Sequence, residues 1–260
     1  MLAVLVGQWW NGHYRGCMTA TDYDSCATRY GKGRRPSERL IRKLLARVRV
    51  GSQSCVLDIG CGTGDYSVLV FRWTGAKVLG IDPSRGMLAK ARVKGWDQVR
   101  FLQGRAEELP FRDQRFDLLF SIDVVHHVGD RLRMFTEAFR VLKVAAVVCT
   151  VTESREQLCR RFMARYFPSI VALNLARFSE VSKLVNWMRS SGFRDVETEA
   201  FVSCEAVTAH YVNAVRLKEY SVLELVPDEE FRSGLRRLKE DLGQRRLIRE
   251  DWHTLIWGSR

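Results

Sequence analysis

Short runs of apolar residues alternate along the first half of the chain with stretches in which apolar positions recur every three or four residues. "CVLDI" (55–59), "KVLGI" (77–81), "VRFLQ" (99–103), "FDLLFSI" (116–122) and "AVVCTV" (146–151) predict strands, because Val, Leu and Ile concentrated in a few residues suit a strand buried on both faces. Between them the helical period predicts helices over 65–74, stopped by Gly75, over 84–93, stopped near Gly95, and over 131–143, where Leu132, Phe135, Phe139 and Leu142 share a face. Ahead of the first strand, Pro36 stands at a first helical turn. "SERLIRKLLARV" then aligns Leu40, Ile41, Leu44, Leu45 and Val48 in one stripe, with Gly51 expected to close it. Alternation of this kind predicts a doubly wound α/β domain, a parallel sheet with helices on both faces.

Beyond residue 153 the pattern turns helical: "QLCRRFMARYF" up to Pro168, then "FSEVSKLVNWMRSSGF", with Ser179 as candidate cap and Gly192 as the stop. Residues 193–206 and 251–259 read as two further strands, which brings the expected sheet to seven. The segment between them is helical, charged and too long for a hairpin. It is expected to form a helical cap over about 207–250, inserted before the last strand on the sheet's ligand edge, with Val212, Val215, Leu223 and Leu225 supplying apolar surface. No repeat or low-complexity linker divides the chain, so residues 18–260 are expected to be one domain. Residues 1–17, ahead of Met18, are expected to be a disordered extension that leaves Trp9 and Trp10 outside the core.

The chemistry begins at "VLDIGCGTGDYS": a strand, a loop with glycines at 60, 62 and 64, and a helix, which together bring backbone N–H groups and a helix N-terminus up to a ligand. A dinucleotide fingerprint would read G-x-G-x-x-G, but Asp65 follows Gly64 and the spacing is G-x-G-x-G. Ligands of open α/β sheets lie beyond the carboxyl ends of the strands. There the first strand ends near Asp58, the second in Asp82, the third runs into "GRAEELPF" and the fourth into "SIDVVHHV". An acid in the position of Asp82 can accept both ribose hydroxyls of any adenosine ligand, nicotinamide dinucleotides included. The histidines of "VVHHV" stand at the same edge, where a neutral imidazole can take a proton; His126 is the first candidate for a catalytic base and His127 the second.

Taken together, "LDIGCGTG", "GIDPS", "AEELPF" and "FDLLFSI", in this order and followed by a helix ending in "RVLK", resemble the class I S-adenosylmethionine-dependent methyltransferases. The resemblance covers roughly residues 20–203, and the final "HTLIWG" is similar to the family's antiparallel last strand. It implies S-adenosylmethionine as cofactor. Gly60, Gly62 and Gly64 would let the backbone approach its methionine part, Asp58 would anchor the amino group directly or through water, and Asp82 would hold the ribose. Ala106 and Glu107 would lie against the adenine, with Met87 or Pro83 nearby, and Ser121 of the strand-four box joins the cofactor set. Tyr23 and Tyr30 fall where relatives fold an N-terminal lid over the donor; either could contact its methionine end, Tyr30 being counted with the cofactor set, and Arg34 could meet the donor carboxylate. The chain departs from the family twice. Arg105 stands where many members carry an acid for the adenine amino group, and "LKVAAVV" lacks the glycines of the usual turn before strand five, so a shifted turn is expected.

Composition narrows the partners. The net charge of +12 raises the prior for an anionic partner such as RNA, although the basic residues are spread along the chain and interleave with acids near the end. Seven cysteines occur without a C-x-x-C pair, so neither a zinc site nor a disulfide framework is suggested, and a reducing cytoplasm fits. No apolar run is long enough to cross a bilayer, and the N-terminal residues lack the features of a secretory signal. The leading expectation is therefore a methyltransferase with a small-molecule acceptor and no metal. An RNA methyltransferase comes second, a degenerate fold that binds S-adenosylmethionine without turnover third, and a nicotinamide oxidoreductase last.

Overall fold

In a computed structural model, which describes residues 22–31, 35–94 and 97–260, the apolar runs form strands β1 (Cys55–Ile59), β2 (Lys77–Asp82), β3 (Val99–Gln103), β4 (Phe116–Ile122) and β5 (Leu142–Thr152). Two more follow, β6 (Arg194–Ala206) and β7 (Ile248–Ser259). They make one seven-stranded sheet in the order β3-β2-β1-β4-β5-β7-β6, parallel except for β7, which runs antiparallel to both its neighbours. Residues 1–17, with Trp9 and Trp10, and Arg34 and Gly95 lie outside the described residues.

The helices are α1 (Tyr23–Ala27), α2 (Glu38–Leu45), α3 (Asp65–Thr74), α4 (Arg85–Arg92), α5 (Arg131–Val141), α6 (Arg155–Arg160), α7 (Ser169–Arg177), α8 (Val181–Ser190), α9 (Ala209–Arg216) and α10 (Asp228–Gln244). Side-chain oxygens of Ser37, Ser84, Asp130, Ser154 and Thr208 accept the N–H groups that a first turn leaves unpaired, and Gly75 ends α3 at φ 71°. Several expected boundaries move: α5 stops at Val141, so Leu142, expected on its apolar face, opens β5 instead, and β7 begins at Ile248 rather than 251. Helix α2 stops at Leu45 rather than running to Gly51, because Arg47 and Val48 close tighter turns onto Leu44 and Leu45. Glu180 rather than Ser179 caps α8, through its backbone carbonyl alone.

One face of the sheet packs Leu57, Ile59 and Leu119 against Met134, Phe135 and Ala138 of α5 and Leu184 and Met188 of α8. The other packs Val56, Leu118 and Phe120 against Leu40, Ile41 and Leu44 of α2 and Leu69 and Val70 of α3. The junction that lacks the family's glycines is built differently. Helix α5 ends at Val141 and β5 starts at once. Phe116 pairs with Leu142 but Leu118 with Val147, so β5 bulges, and Ala145 takes the left-handed backbone, φ 62°. The chain end braces that bulge: the Ala145 N–H donates to the Arg260 carbonyl and the Arg260 N–H to the Ala146 carbonyl.

Helices α9 and α10 stand between β6 and β7, and they share one apolar core with the segment that follows β5. Phe162, Met163, Phe167 and Ile170 pack there with Tyr211, Val215, Leu223 and Leu238. The cap is thus made from two separate parts of the chain. Val212, Val215 and Leu223 are spent in its own core, and Leu225 is exposed. Gly234 of α10 allows the close fit, since a Cβ there would stand 2.4 Å from the Tyr166 carbonyl oxygen.

Candidate functional site

β1 is flanked by β2 on one side and β4 on the other, so its carboxyl end is the topological switch point of the sheet. The loop that leaves it turns three times through left-handed backbone, at Gly60 (φ +70°), Gly62 (φ +52°) and Gly64 (φ +76°). The N–H groups of Gly60 and Cys61 both donate to the Ile81 carbonyl, at 2.7 and 3.0 Å, which ties the loop to the end of β2. The glycines do different work. A Cβ at Gly60 would meet Val124 at 2.4 Å and one at Gly64 would meet Phe101 at 2.4 Å, whereas one at Gly62 would meet nothing within 4 Å. Gly62 therefore faces open space.

Asp82 borders that space. Asp82 accepts the N–H of Gly62 at 2.9 Å on one oxygen and the N–H of Ser84 at 2.9 Å on the other, which leaves lone pairs on both oxygens for further donors. Burial pushes its carboxyl up, against those backbone hydrogen bonds. Asp58 lies deeper, 3% exposed, and accepts the Ser67 hydroxyl at 2.6 Å. Burial, with the neighbouring Asp82 charge, pushes it up to about 8 despite that hydrogen bond.

The N-terminal segment straps across this edge. Asp24 of α1 accepts the Ser84 hydroxyl at 2.6 Å and the Gly86 N–H at 2.8 Å, completing the cap of α4. Ala27 and Met87 are buried together, with Tyr23 and Tyr30 against them, so Met87 serves this contact. Lys90 donates to the Tyr30 carbonyl at 2.7 Å. The Gly31 N–H reaches Glu219 of the cap at 3.1 Å, and Arg29 pairs with Glu224. A Cβ on Gly86 would stand 2.8 Å from that of Ala27, so Gly86→Leu should undock the strap. Overpacking costs about 1–3 kcal/mol, and amide exchange over 23–31 is expected to quicken about tenfold while that of β1 is unchanged, read by hydrogen-exchange mass spectrometry.

Beyond β4 the chain turns left-handed at Asp123 (φ 59°) into a short 3-10 turn, Val125–His127, that carries both histidines. His127 shares a hydrogen bond of 2.8 Å with the Tyr23 hydroxyl. His126 stacks on Phe178 at 3.9 Å. Burial first, then His127 and the arginines nearby, holds it well below the usual imidazole range, so it is neutral.

The remaining expected residues separate. Ala106 is buried beside the site. The Glu107 carboxylate is committed to the Gly129 N–H at 3.2 Å and to Arg105 at 3.4 Å, and the Arg105 side chain is 69% exposed. Ser121 does not reach the site: it is fully buried within the sheet, hydrogen-bonded to Thr150 of β5. Ser67 and Asp24, which position the Asp58 carboxyl and the strap, were not marked by any motif; both lie outside the four boxes.

A switch-point glycine loop with an acid after each of the first two strands defines, on this sheet, a class I S-adenosylmethionine-dependent methyltransferase. Residues 57–150 match the family profile of the methyltransferase domain, and the cofactor is S-adenosylmethionine. It is 29% identical over 196 residues to a demethylmenaquinone methyltransferase of Lactiplantibacillus plantarum, covering 65% of this chain and 82% of that one. It is 31% identical over 152 residues to one of Staphylococcus aureus, of which it spans 62%. Among solved structures it resembles a protein described as a methyltransferase from an antibiotic biosynthesis pathway of Anabaena variabilis, with a TM-score of 0.71 at 21% identity over 88% of this chain and 100% of that one. It also resembles Haemonchus contortus phosphoethanolamine N-methyltransferase 2, with a TM-score of 0.59 at 18% identity over 94% and 60%.

Proposed function

We propose that the chain transfers a methyl group from S-adenosylmethionine to a small-molecule acceptor by direct displacement, with Asp58, Asp82 and the Gly60, Gly62 and Gly64 loop holding the donor. The observation that carries this reading is the open face of Gly62, whose N–H is held by Asp82, with buried Asp58 at the end of the adjoining strand; both carboxyls have acceptor capacity to spare. The cofactor supplies an activated methyl on a sulfonium. Asp82 fits the paired ribose hydroxyls, and Asp58, a buried carboxyl with one hydroxyl donor, fits the amino group, whose charge would compensate its desolvation. Glu107 holds Gly129 and Arg105 through one carboxylate oxygen and keeps the other as an acceptor, so adenine recognition falls to Ala106, Glu107 and the neighbouring backbone. We assign His126, neutral beside the cap, as the group that takes a proton from the acceptor; it does so as a weak base, because burial and the nearby positive charge disfavour its imidazolium. His127, bonded to Tyr23, is suited to fasten the strap.

A small acceptor is favoured because the two-part cap and the strap roof this edge, and because the curated relatives act, by name, on demethylmenaquinone. The basic charge gives RNA little purchase: Lys43 and Arg47 pair with Glu199 and Glu197, and Arg42 lies over Trp73. Nor do the two departures from the family argue for a degenerate site, since Arg105 turns outward and Ala145 supplies the missing left-handed turn. No helix among the described residues is long and apolar enough to cross a membrane.

Titration calorimetry with S-adenosylhomocysteine, beside NADH and an Asp82→Asn variant, tests the donor site. Saturable binding of the homocysteine compound alone is expected. It should weaken about 10–100-fold in the variant, since a hydrogen bond to a charged group contributes about 1.5–3 kcal/mol. Binding of NADH instead, or of neither ligand, would overturn the reading.

A further inference from the structure

The edge of the site away from the glycine loop gathers several hydrogen-bond donors from α5, α7 and the turn that carries His126. The His126 ring stacks on Phe178, and Arg161 lies over the same Phe178 ring, 5.4 Å from its centroid. Arg177 immediately precedes Phe178 at the end of α7, with one guanidinium nitrogen on the Ser221 hydroxyl at 3.0 Å. Arg131 opens α5, just beyond the turn that carries His126. All three arginines are half-buried. Arg161 is neutralised by a two-pronged pair with buried Glu153. Arg131 and Arg177 have no carboxylate partner among the described residues, and the Arg131 Nε is buried with nothing to donate to. Asn174, one turn before Phe178 and 1% exposed, likewise holds its side-chain nitrogen unpartnered, and so does the Nδ1 of His126.

Buried donors without acceptors cost free energy, and half-buried guanidinium groups without a counter-charge cost more. A neutral or cationic acceptor would leave that cost in place, whereas an anionic oxygen group satisfies several donors at once. We propose that Arg131 and Arg177, with Asn174, form an anion-recognition face beside His126, so that the methyl acceptor carries an anionic oxygen group such as a carboxylate, a phenolate or a phosphate. This inference rests on the methyltransferase reading and names its substrate class. The same positive surroundings favour the neutral imidazole of His126 and the ionised form of an acceptor hydroxyl beside it.

The test uses the full chain, with and without saturating S-adenosylhomocysteine, titrated calorimetrically with benzoate, inorganic phosphate and pyrophosphate. Saturable binding is expected for at least one anion, and which one binds separates carboxylate from phosphate acceptors. Arg131→Gln and Arg177→Gln should each weaken it about tenfold or more, as loss of a charge-assisted hydrogen bond predicts. Arg189→Gln, on the exposed surface of α8, should leave it unchanged. Should Arg177→Gln fail to fold, judged by circular dichroism, Arg131→Gln decides. Anion binding that is absent, or indifferent to these arginines, while S-adenosylhomocysteine binds normally, overturns the inference and spares the methyltransferase reading; loss of S-adenosylhomocysteine binding in the intact protein overturns that reading by itself.

Discussion

Gly64→Ala is expected to lower the unfolding free energy by about 2–4 kcal/mol, whereas Gly62→Ala should cost only about 1–2 kcal/mol in folding and weaken donor binding at least about tenfold. Both residues sit at positive φ, so alanine meets the same backbone penalty at either position. The difference lies in what the new methyl group touches. At Gly64 it would run into the ring of Phe101 at 2.4 Å and stand 3.2 Å from the Cβ of Ala91. At Gly62 it would enter the space beside Asp82 that the donor is proposed to fill. Urea unfolding and S-adenosylhomocysteine titration of both variants separate the two roles. Equal stability losses, or an unchanged affinity in Gly62→Ala, would contradict the division.

That division was not legible in the sequence, where the three glycines are equivalent members of one spacing. Only the neighbours that long-range packing brings up, Val124 from beyond β4 and Phe101 from β3, make Gly60 and Gly64 structural and leave Gly62 open. Strands, by contrast, were readable almost to the residue: 55–59, 99–103 and 116–122 form with the expected bounds. Each of these is a short apolar run bounded by glycine, proline or charge, and burial in a parallel sheet asks for little more. The misplaced boundaries are those where a motif competes with packing. The apolar run 146–151 suggested that β5 would start late, but the antiparallel β7 and Arg260 hold a bulged strand that begins as soon as α5 stops.

The candidate site was legible as a set of strand ends and illegible in its details. Asp58 and Asp82 follow from topology alone, since a doubly wound sheet gathers the ends of its parallel strands at one edge. Ser121 failed for a reason of the same kind: side chains alternate along β4, and its hydroxyl points between strands at Thr150 rather than out of the sheet's end. Glu107 is at the right place but is engaged by Gly129 and Arg105, partners that only the folded loops supply. The cap was visible as helical sequence before the last strand, but part of its core comes from 155–178, whose helical pattern carried no sign of where it would pack.

S-adenosylhomocysteine affinity should fall about tenfold for each unit of acidification below pH 8, becoming about 100-fold weaker at pH 6. The group responsible is Asp58. Burial and the Asp82 charge push its carboxyl up to about 8 in the free protein, while the proposed partner on the ligand is the ammonium group of a free amino acid, which keeps its proton below pH 8. The bound pair needs the carboxylate and the ammonium together. Below pH 8 the free carboxyl must first give up its proton, and binding releases about one proton per site at pH 6. Asp58→Asn removes the acid limb, flattening the profile below pH 8 at a lower overall affinity, with the Ser67 hydroxyl still able to donate to the amide oxygen. Stability changes with the opposite sign. Because the folded protein holds the Asp58 proton up to about 8 and the unfolded chain loses it near 4, this carboxyl favours the folded state most at low pH and disfavours it progressively as pH rises from 4 to 8. In Asp58→Asn that stretch of the stability curve should flatten as well. Calorimetric titrations in buffers of different ionisation enthalpy read the proton count directly. Binding that is indifferent to pH between 6 and 8, with no proton released, would place the donor's amino group away from Asp58.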